Sequence, residues 1–142
     1  MAADESRFDD RWRSFEAFRE EFRQRAVMVG VDRVYARRWM LGRGPGCPLG
    51  VQAAGYLLIA LAVAGLVGSG YVVWHGAYLL GVFLLVLAFL SWRLFVQVAI
   101  PTFRSAAMAD EALFRRWFEE RKVSVFVKAT GEYVWNDRET PA

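Results

Sequence analysis

The sequence has few of the residues that cross-link a fold or hold a metal. Its 142 residues include one cysteine, Cys47, and one histidine, His75. A lone cysteine excludes an intramolecular disulfide and a thiol-rich metal site. A lone histidine excludes a histidine-based zinc site or a bis-histidine haem within one chain. We therefore predict no cofactor and no metal. We also predict that the chain is not an enzyme, because its apolar segment offers no acid–base pair.

Charge is missing from a long central stretch. Between Gly44 and Trp92 there is no Asp, Glu, Lys or Arg. A transmembrane helix needs about 20 apolar residues, so this stretch accommodates two helices, at about residues 51–74 and 76–100, joined near His75. Backbone polar groups in lipid must be paired within the segment, which favours helices for both passes. The predicted fold is an all-α membrane protein built on a two-pass transmembrane helical hairpin, with the lipid bilayer as a partner.

The flanking segments carry the charge that the hairpin lacks. The N-terminus, MAADESRFDD, is acidic and polar and does not resemble a signal peptide, so we expect the hairpin itself to direct insertion. Lys and Arg are absent from the turn between the passes but recur in both flanks, as Arg33, Arg37, Arg38 and Arg43 and as Arg104, Arg115, Arg116, Arg121 and Lys122. The positive-inside rule places both termini in the cytoplasm, and we expect a bacterial inner membrane. The net charge of +3 reflects these flanks, so no nucleic-acid partner is expected.

The chain is thereby predicted to have three segments: a cytoplasmic arm (residues 1–43), the hairpin (44–101) and a second cytoplasmic arm (102–142). In the first arm, aromatic residues at helical spacing predict an amphipathic helix over residues 5–27, with Phe8, Trp12, Phe15, Phe18 and Phe22 on one face. Arg11, Arg19 and Arg23 lie in or beside that face, as in helices at a membrane surface. The alternative is that the rings pack on the C-terminal arm or on a partner subunit. A short helix is predicted from Asp32 to Leu41, ending at Gly42.

The second arm resumes a helical pattern after Pro101, which should kink or end the transmembrane helix. Apolar residues share one face of residues 102–122, namely Phe103, Ala107, Phe114, Trp117 and Phe118. Asp110 falls close to that face, where an arginine of the first arm could pair with it. Alternating residues at 123–128 and the segment 133–135 predict a small C-terminal β-hairpin.

Small and polar residues of the hairpin predict contacts between helices, with lipid headgroups or with other subunits. Ala60, Ala64 and Gly68 repeat every four residues, which favours close packing of the hairpin on itself or of identical subunits. Arg93 and Gln97 lie one turn apart near the cytoplasmic end, where Arg93 either reaches lipid phosphates or forms a polar contact to another subunit. His75 is expected to be a solvated turn residue, with ligation of a pigment or haem as the alternative.

The stretch LLGVFLLVLAFLSWRLFVQVAIPTFRSAAMADEAL resembles small bacterial two-pass inner-membrane proteins that are grouped as a domain of unknown function. In those proteins the second helix ends with an arginine, a polar residue one turn later and an aromatic–arginine pair before an amphipathic extension. The corresponding positions here are Arg93, Gln97 and Phe103-Arg104, with Gln97 where the family usually has glutamate. The resemblance implies the two-pass topology and no particular activity.

Aromatic faces on both arms predict a non-catalytic accessory or scaffold subunit of a larger inner-membrane complex, such as a respiratory or photosynthetic assembly. In this hypothesis the aromatic residues bind other membrane-protein subunits, because a two-helix hairpin cannot cover them. The alternative is a homo-oligomeric channel or membrane-perturbing effector, in which the chain binds itself through the small residues of the first pass.

Overall fold

A computed structural model of the chain describes residue 8 and residues 11–134. These residues contain five helices and three strands: α1 (Phe15–Arg23), β1 (Val27–Val31), α2 (Arg33–Met40), α3 (Leu49–Trp74), α4 (Tyr78–Ala109), α5 (Glu111–Glu119), β2 (Val123–Val127) and β3 (Glu132–Val134). They form two compact units. The αβ unit lies within Met1–Asp32 and Arg104–Ala142, and the hairpin unit is Arg33–Phe103.

The two predicted apolar helices are present. Helix α3 has 26 residues and α4 has 32, which at 1.5 Å per residue exceed the roughly 30 Å of a bilayer core. Both are long and apolar enough to span a membrane. Most of their large apolar side chains are exposed rather than buried against protein. A turn at Gly76, where φ is +82°, joins them.

The hairpin is closed by a different row of small residues from the predicted one. An added Cβ at Gly65 would lie 2.9 Å from the carbonyl oxygen of Leu84 and 3.0 Å from Cβ of Ala88. The hydroxyl of Ser69, one turn later, donates a hydrogen bond of 2.8 Å to the carbonyl oxygen of Gly81. The prediction that the row of Ala60, Ala64 and Gly68 packs against the second helix is wrong for Ala60 and Ala64, which are exposed. Gly68 does face the second helix, because an added Cβ there would lie 3.4 Å from Cδ1 of Leu84.

Pro101 does not end the second helix. Helix α4 continues through it to Ala109, eight residues beyond Pro101. Proline cannot donate to the carbonyl one turn earlier, and a neighbouring threonine can bond backbone acceptors in such a helix. The Thr102 hydroxyl does so, donating a hydrogen bond of 2.7 Å to the carbonyl oxygen of Val98.

The αβ unit contains a three-stranded antiparallel sheet in the order β1-β2-β3. The predicted C-terminal hairpin is present as β2 and β3, with residue 135 outside the described residues. The predicted continuous helix over residues 5–27 is wrong on both sides of α1. Residues 12–14 are not helical and α1 begins at Phe15, while it ends at Arg23, and Val27–Val31 forms a strand that pairs with β2. The fold is therefore mostly helical but not all-α, and the two arms form one unit instead of two separate segments.

An internal repeat underlies this unit. Residues 14–31 and residues 110–127 have the same sequence of features: a side-chain cap, a nine-residue helix, a residue with positive φ and a five-residue strand. The offset is 96 residues throughout. Seven positions are identical, namely the pairs Phe18/Phe114, Arg19/Arg115, Phe22/Phe118, Arg25/Arg121, Val27/Val123, Val29/Val125 and Val31/Val127.

The two repeats are paired with two-fold pseudosymmetry. Val29 lies opposite Val125, its own equivalent, and Val27 lies opposite Val127 just as Val31 lies opposite Val123. The hydrogen bonds at the two ends of the strand pair follow the same symmetry. The Asp32 amide donates to the carbonyl oxygen of Lys122, and the equivalent amide of Lys128 donates to that of Ala26. The strand before the hairpin and the strand after it thus form the centre of one symmetric element.

Candidate functional site: a basic groove on the αβ unit

The aromatic residues predicted to bind partners are mostly buried inside the αβ unit. The buried rings are Phe8, Trp12, Phe15, Phe18, Phe114, Trp117 and Phe118. The rings of Phe18 and Phe114 are 5.0 Å apart, and those of Phe8 and Phe118 are 5.7 Å apart. Packing of the first arm on the second, one of the two alternatives, is confirmed. The chain covers these rings itself, which argues against the interpretations that the first-arm rings enter lipid and that the rings of both arms bind another subunit.

The other predicted site residues remain accessible. Arg93 and Gln97 are exposed on α4, and Phe22 is half-buried at the surface of the αβ unit. His75 caps the C-terminus of α3 and is exposed, with its ring 4.6 Å from that of Tyr71. Asp110 caps α5 by accepting hydrogen bonds from the amides of Ala112 and Leu113, so its predicted pairing with an arginine of the first arm is replaced by a local role.

The most distinctive surface of the αβ unit is a basic groove around Phe22. It consists of two adjoining cavities of about 290 and 410 Å³ that share Phe22, Arg23 and Arg104 in their walls. The remaining lining residues of the two cavities are Arg19, Ser105, Met108, Ala109, Arg25, Val27, Met28, Val29 and Lys128. The groove thus combines an apolar floor with five cationic side chains, and none of its described lining residues is acidic.

Three of the five cations are not neutralised by described residues. Arg19 pairs with Glu16 at 3.0 Å and Arg23 pairs with Glu20 at 3.7 Å. Within residue 8 and residues 11–134, no carboxylate lies within ion-pair distance of Arg25, Arg104 or Lys128. The Nε atom of Arg104 is buried and has no hydrogen-bond partner in this part of the chain.

The backbone fixes Arg25 at the mouth of the groove. After α1, the Ala26 amide bonds the carbonyl of Glu21 and the Arg25 amide bonds that of Phe22. This double hydrogen bond is the Schellman motif, which places the residue after the cap in the left-handed region. Arg25 accordingly has φ of +58°, and its equivalent Arg121 has φ of +57° after α5. Glycine is the usual residue at such a position.

Four groove positions can be compared with their equivalents in the other repeat, and the charges of the two sets differ. Arg19 and Arg25 correspond to Arg115 and Arg121, so these positions are basic at both ends. Arg23, however, corresponds to Glu119, and Lys128 corresponds to Asp32. The same four scaffold positions therefore carry four cations at one end and two cations with two anions at the other.

The arrangement is suited to holding an anion. Arginine presents several donors in a planar fork that matches oxyanions, and side chains at a groove surface retain access to a ligand from solvent. Arg25 and Lys128 are not among the residues that the sequence patterns single out as a site. Comparison of the sequence with itself at an offset of 96 residues would have indicated Lys128, which aligns with Asp32, but not Arg25, which aligns with Arg121.

No protein-family model, curated protein or solved structure matches the chain.

Proposed function

We propose that the chain is a two-pass protein of a bacterial inner membrane that serves as a non-catalytic accessory or scaffold subunit. In this proposal the hairpin is the anchor and the αβ unit is a cytoplasmic binding module. One observation carries the anchoring part of the proposal: β1, before the hairpin, pairs with β2, after it, while the helices between them expose apolar side chains. The flanks of the hairpin must therefore lie on the same side of any membrane that the hairpin crosses.

The exposed surface of the hairpin supports membrane insertion. The exposed large apolar side chains of both helices range from 38% exposed at Leu87 to 89% at Leu79. Soluble monomers rarely expose contiguous apolar patches of more than a few hundred Å². In lipid the same surface has no cost, and the backbone groups of both helices are satisfied internally.

The single cysteine allows a direct test of the topology. In inside-out vesicles from a bacterial host, a membrane-impermeant maleimide should label Cys47, which precedes α3. In right-side-out vesicles it should not. With Cys47→Ser and His75→Cys the pattern should reverse, because residue 75 lies in the turn between the helices. Labelling of both positions from the same side would contradict two membrane passes.

The subunit role is tested by gentle solubilisation from the native membrane and mass measurement of the intact species. The proposal expects the chain in a complex with different, larger subunits at fixed stoichiometry. A monodisperse monomer would contradict it. The αβ unit provides a control, since unfolding it with Phe114→Asp should abolish the complex if the unit is the binding module.

A homo-oligomer is the second candidate, and the unused small residues favour it. Ala60 and Ala64 are exposed and lie roughly opposite Ser69 around α3, given about 100° per residue. Small residues on an outward face allow two helices to approach closely. Ala64→Leu should then break a ring of identical copies, whereas Val63→Leu, about a quarter-turn away, should leave it intact. Channel recordings that stay silent for both wild type and variant would count against a pore.

A further inference from the structure

We propose that the basic groove of the αβ unit is a binding site for a phosphate group, borne either by an anionic phospholipid headgroup or by a soluble phosphate compound. This goes beyond the anchoring role and does not require the hairpin to lie in a membrane. The site is formed by Arg25, Arg104 and Lys128, with Arg19 and Arg23 on the α1 side.

The uncompensated charge of the groove calls for an anion. Two of the five cations already pair with glutamates, so the groove retains three cations that the described carboxylates do not reach. Like charges held around one cavity repel each other, and a bound phosphate relieves that repulsion while accepting several charge-assisted hydrogen bonds. The buried Nε of Arg104 has no hydrogen-bond partner among the described residues, so the fold itself does not satisfy this guanidinium.

The pseudosymmetry argues against an ordinary solvated face. Residues 14–31 and 110–127 form equivalent helices, turns and strands, so a charge that this repeat requires would be present in both copies. Instead Arg23 and Lys128 are replaced at the other end by Glu119 and Asp32. At these two positions the positive charge is found only at the groove, although the exchange is reversed at Glu20, whose equivalent is Arg116.

Phosphate fits the walls better than a simple halide or carboxylate. Four of the five cations are arginines, whose forks bind the oxygens of phosphate in pairs. The apolar floor of Phe22, Met108 and Val27 provides a surface for the organic part of an ester. Arg104 lies on α4, the helix that carries the apolar run ending at Trp92, which makes a lipid headgroup a natural source.

The experiment compares two arginines in the same backbone conformation. The full-length protein is reconstituted in nanodiscs, with Arg25→Gly, Arg104→Gln and Arg121→Gly as variants. One arm measures retained phosphatidylglycerol by native mass spectrometry in discs of mixed phosphatidylcholine and phosphatidylglycerol. The other arm titrates inorganic pyrophosphate into the protein in pure phosphatidylcholine discs and measures heat. Glycine at residue 25 or 121 relieves the same positive φ, so both variants should fold at least as well as wild type.

We expect Arg25→Gly and Arg104→Gln each to weaken binding by about 10-fold or more, since each removes charge-assisted hydrogen bonds. Arg121→Gly should remain within about twofold of wild type, because Arg121 is exposed and does not line the groove. Loss confined to the lipid arm identifies a headgroup, and loss confined to the pyrophosphate arm identifies a soluble ligand. The proposal is overturned if wild type binds neither probe, or if Arg25→Gly and Arg121→Gly bind alike. If Arg104→Gln does not fold, the two glycine variants still decide.

Discussion

Two arginines with positive φ carry the sharpest energetic consequence at the scale of single residues. An L-residue in the left-handed region costs about 1 kcal/mol that glycine avoids. Arg121 is exposed, so most of its side chain is solvated in the native state. We expect Arg121→Gly to raise the free energy of unfolding by about 0.5–1 kcal/mol, which a thermal or denaturant melt of the purified protein would measure.

Arg121→Ala separates the effect of removing the arginine side chain from the effect of relieving the backbone strain. Alanine removes the side chain and whatever it contacts but keeps the backbone strain, so it should leave stability equal to wild type or lower it slightly. A glycine variant no more stable than the alanine variant would refute the assignment of strain at φ of +57°.

Cys47 provides a pH-dependent prediction. Burial raises the pKa of the Cys47 thiol, and a hydrogen bond with the Gly42 backbone only partly offsets this. Burial disfavours the thiolate, which is the reactive form. Alkylation by iodoacetamide should therefore be slower in the native protein than in the unfolded chain near neutral pH. The midpoint of the rate against pH should also lie higher in the native protein.

The raised pKa of Cys47 also determines how the stability of the protein depends on pH. The native state holds the Cys47 thiol proton more tightly than the unfolded state does. This difference stabilises the native state fully at pH values below the unfolded pKa, and the stabilisation is lost as the pH rises through the native pKa. A native alkylation midpoint at or below the unfolded one would contradict the burial of the thiol. Measuring both midpoints on the same preparation, with and without denaturant, provides the comparison.

Single residues also show where sequence reasoning reached its limit. Asp110 was expected near the apolar face as a partner for arginine, but it is the helix cap. The sequence contains the cap signal, an aspartate before a helical run, yet the uninterrupted apolar pattern from Phe103 to Phe118 conceals the break between α4 and α5. Capping by the aspartate side chain competes with continuation of the helix. The pattern of apolar residues does not show which of the two is lower in free energy.

At the scale of elements, the hairpin depends on glycine where the two helices approach. Gly65 leaves no room for a side chain, because a Cβ there meets the backbone of Leu84 and the methyl of Ala88. Gly70, on the same helix, has nothing within 4 Å of the added atom. We expect Gly65→Ala to lower stability by about 1–3 kcal/mol through overpacking. Gly70→Ala should be neutral or slightly stabilising because alanine has the higher helix propensity.

Thermal scans of both variants in detergent, followed by helical circular dichroism, would measure this difference. The two substitutions add the same methyl group to the same helix, so their comparison cancels the change in composition. Equal melting temperatures for the pair would show that the helices are not in close contact at Gly65.

The sequence predicts the first apolar helix to within about two residues and the start of the second equally well, but not the end of the second at Ala109, and it does not predict β1. Hydrophobic runs bounded by charge identify α3 and α4 from composition alone. Strand β1 has only five residues, and Val27–Val31 alternates too briefly to be distinguished from the end of a helix. Its partner lies 96 residues away in sequence, so no local pattern predicts the pairing.

For the molecule as a whole, the pairing of β1 with β2 links the two ends of the chain and can be locked covalently. Asp32 and Lys122 are joined by an amide hydrogen bond, as are Lys128 and Ala26. Hydrogen-bonded and non-hydrogen-bonded pairs alternate along an antiparallel ladder, so Val29 and Val125 form a non-hydrogen-bonded pair. Cα atoms in such pairs lie about 4.5 Å apart, within the range for a disulfide.

In a Cys47→Ser background, Val29→Cys with Val125→Cys should therefore form a disulfide on mild oxidation and migrate faster on a non-reducing gel. Closing a loop of about 100 residues should stabilise the protein by up to about 4–5 kcal/mol. Val29→Cys with Ser124→Cys is the matched control: adjacent residues of a strand point to opposite faces, so this pair should stay reduced. Equal oxidation of both pairs would mean that the register is not fixed. The two-fold relation that distinguishes the basic groove from its counterpart would then lose its foundation.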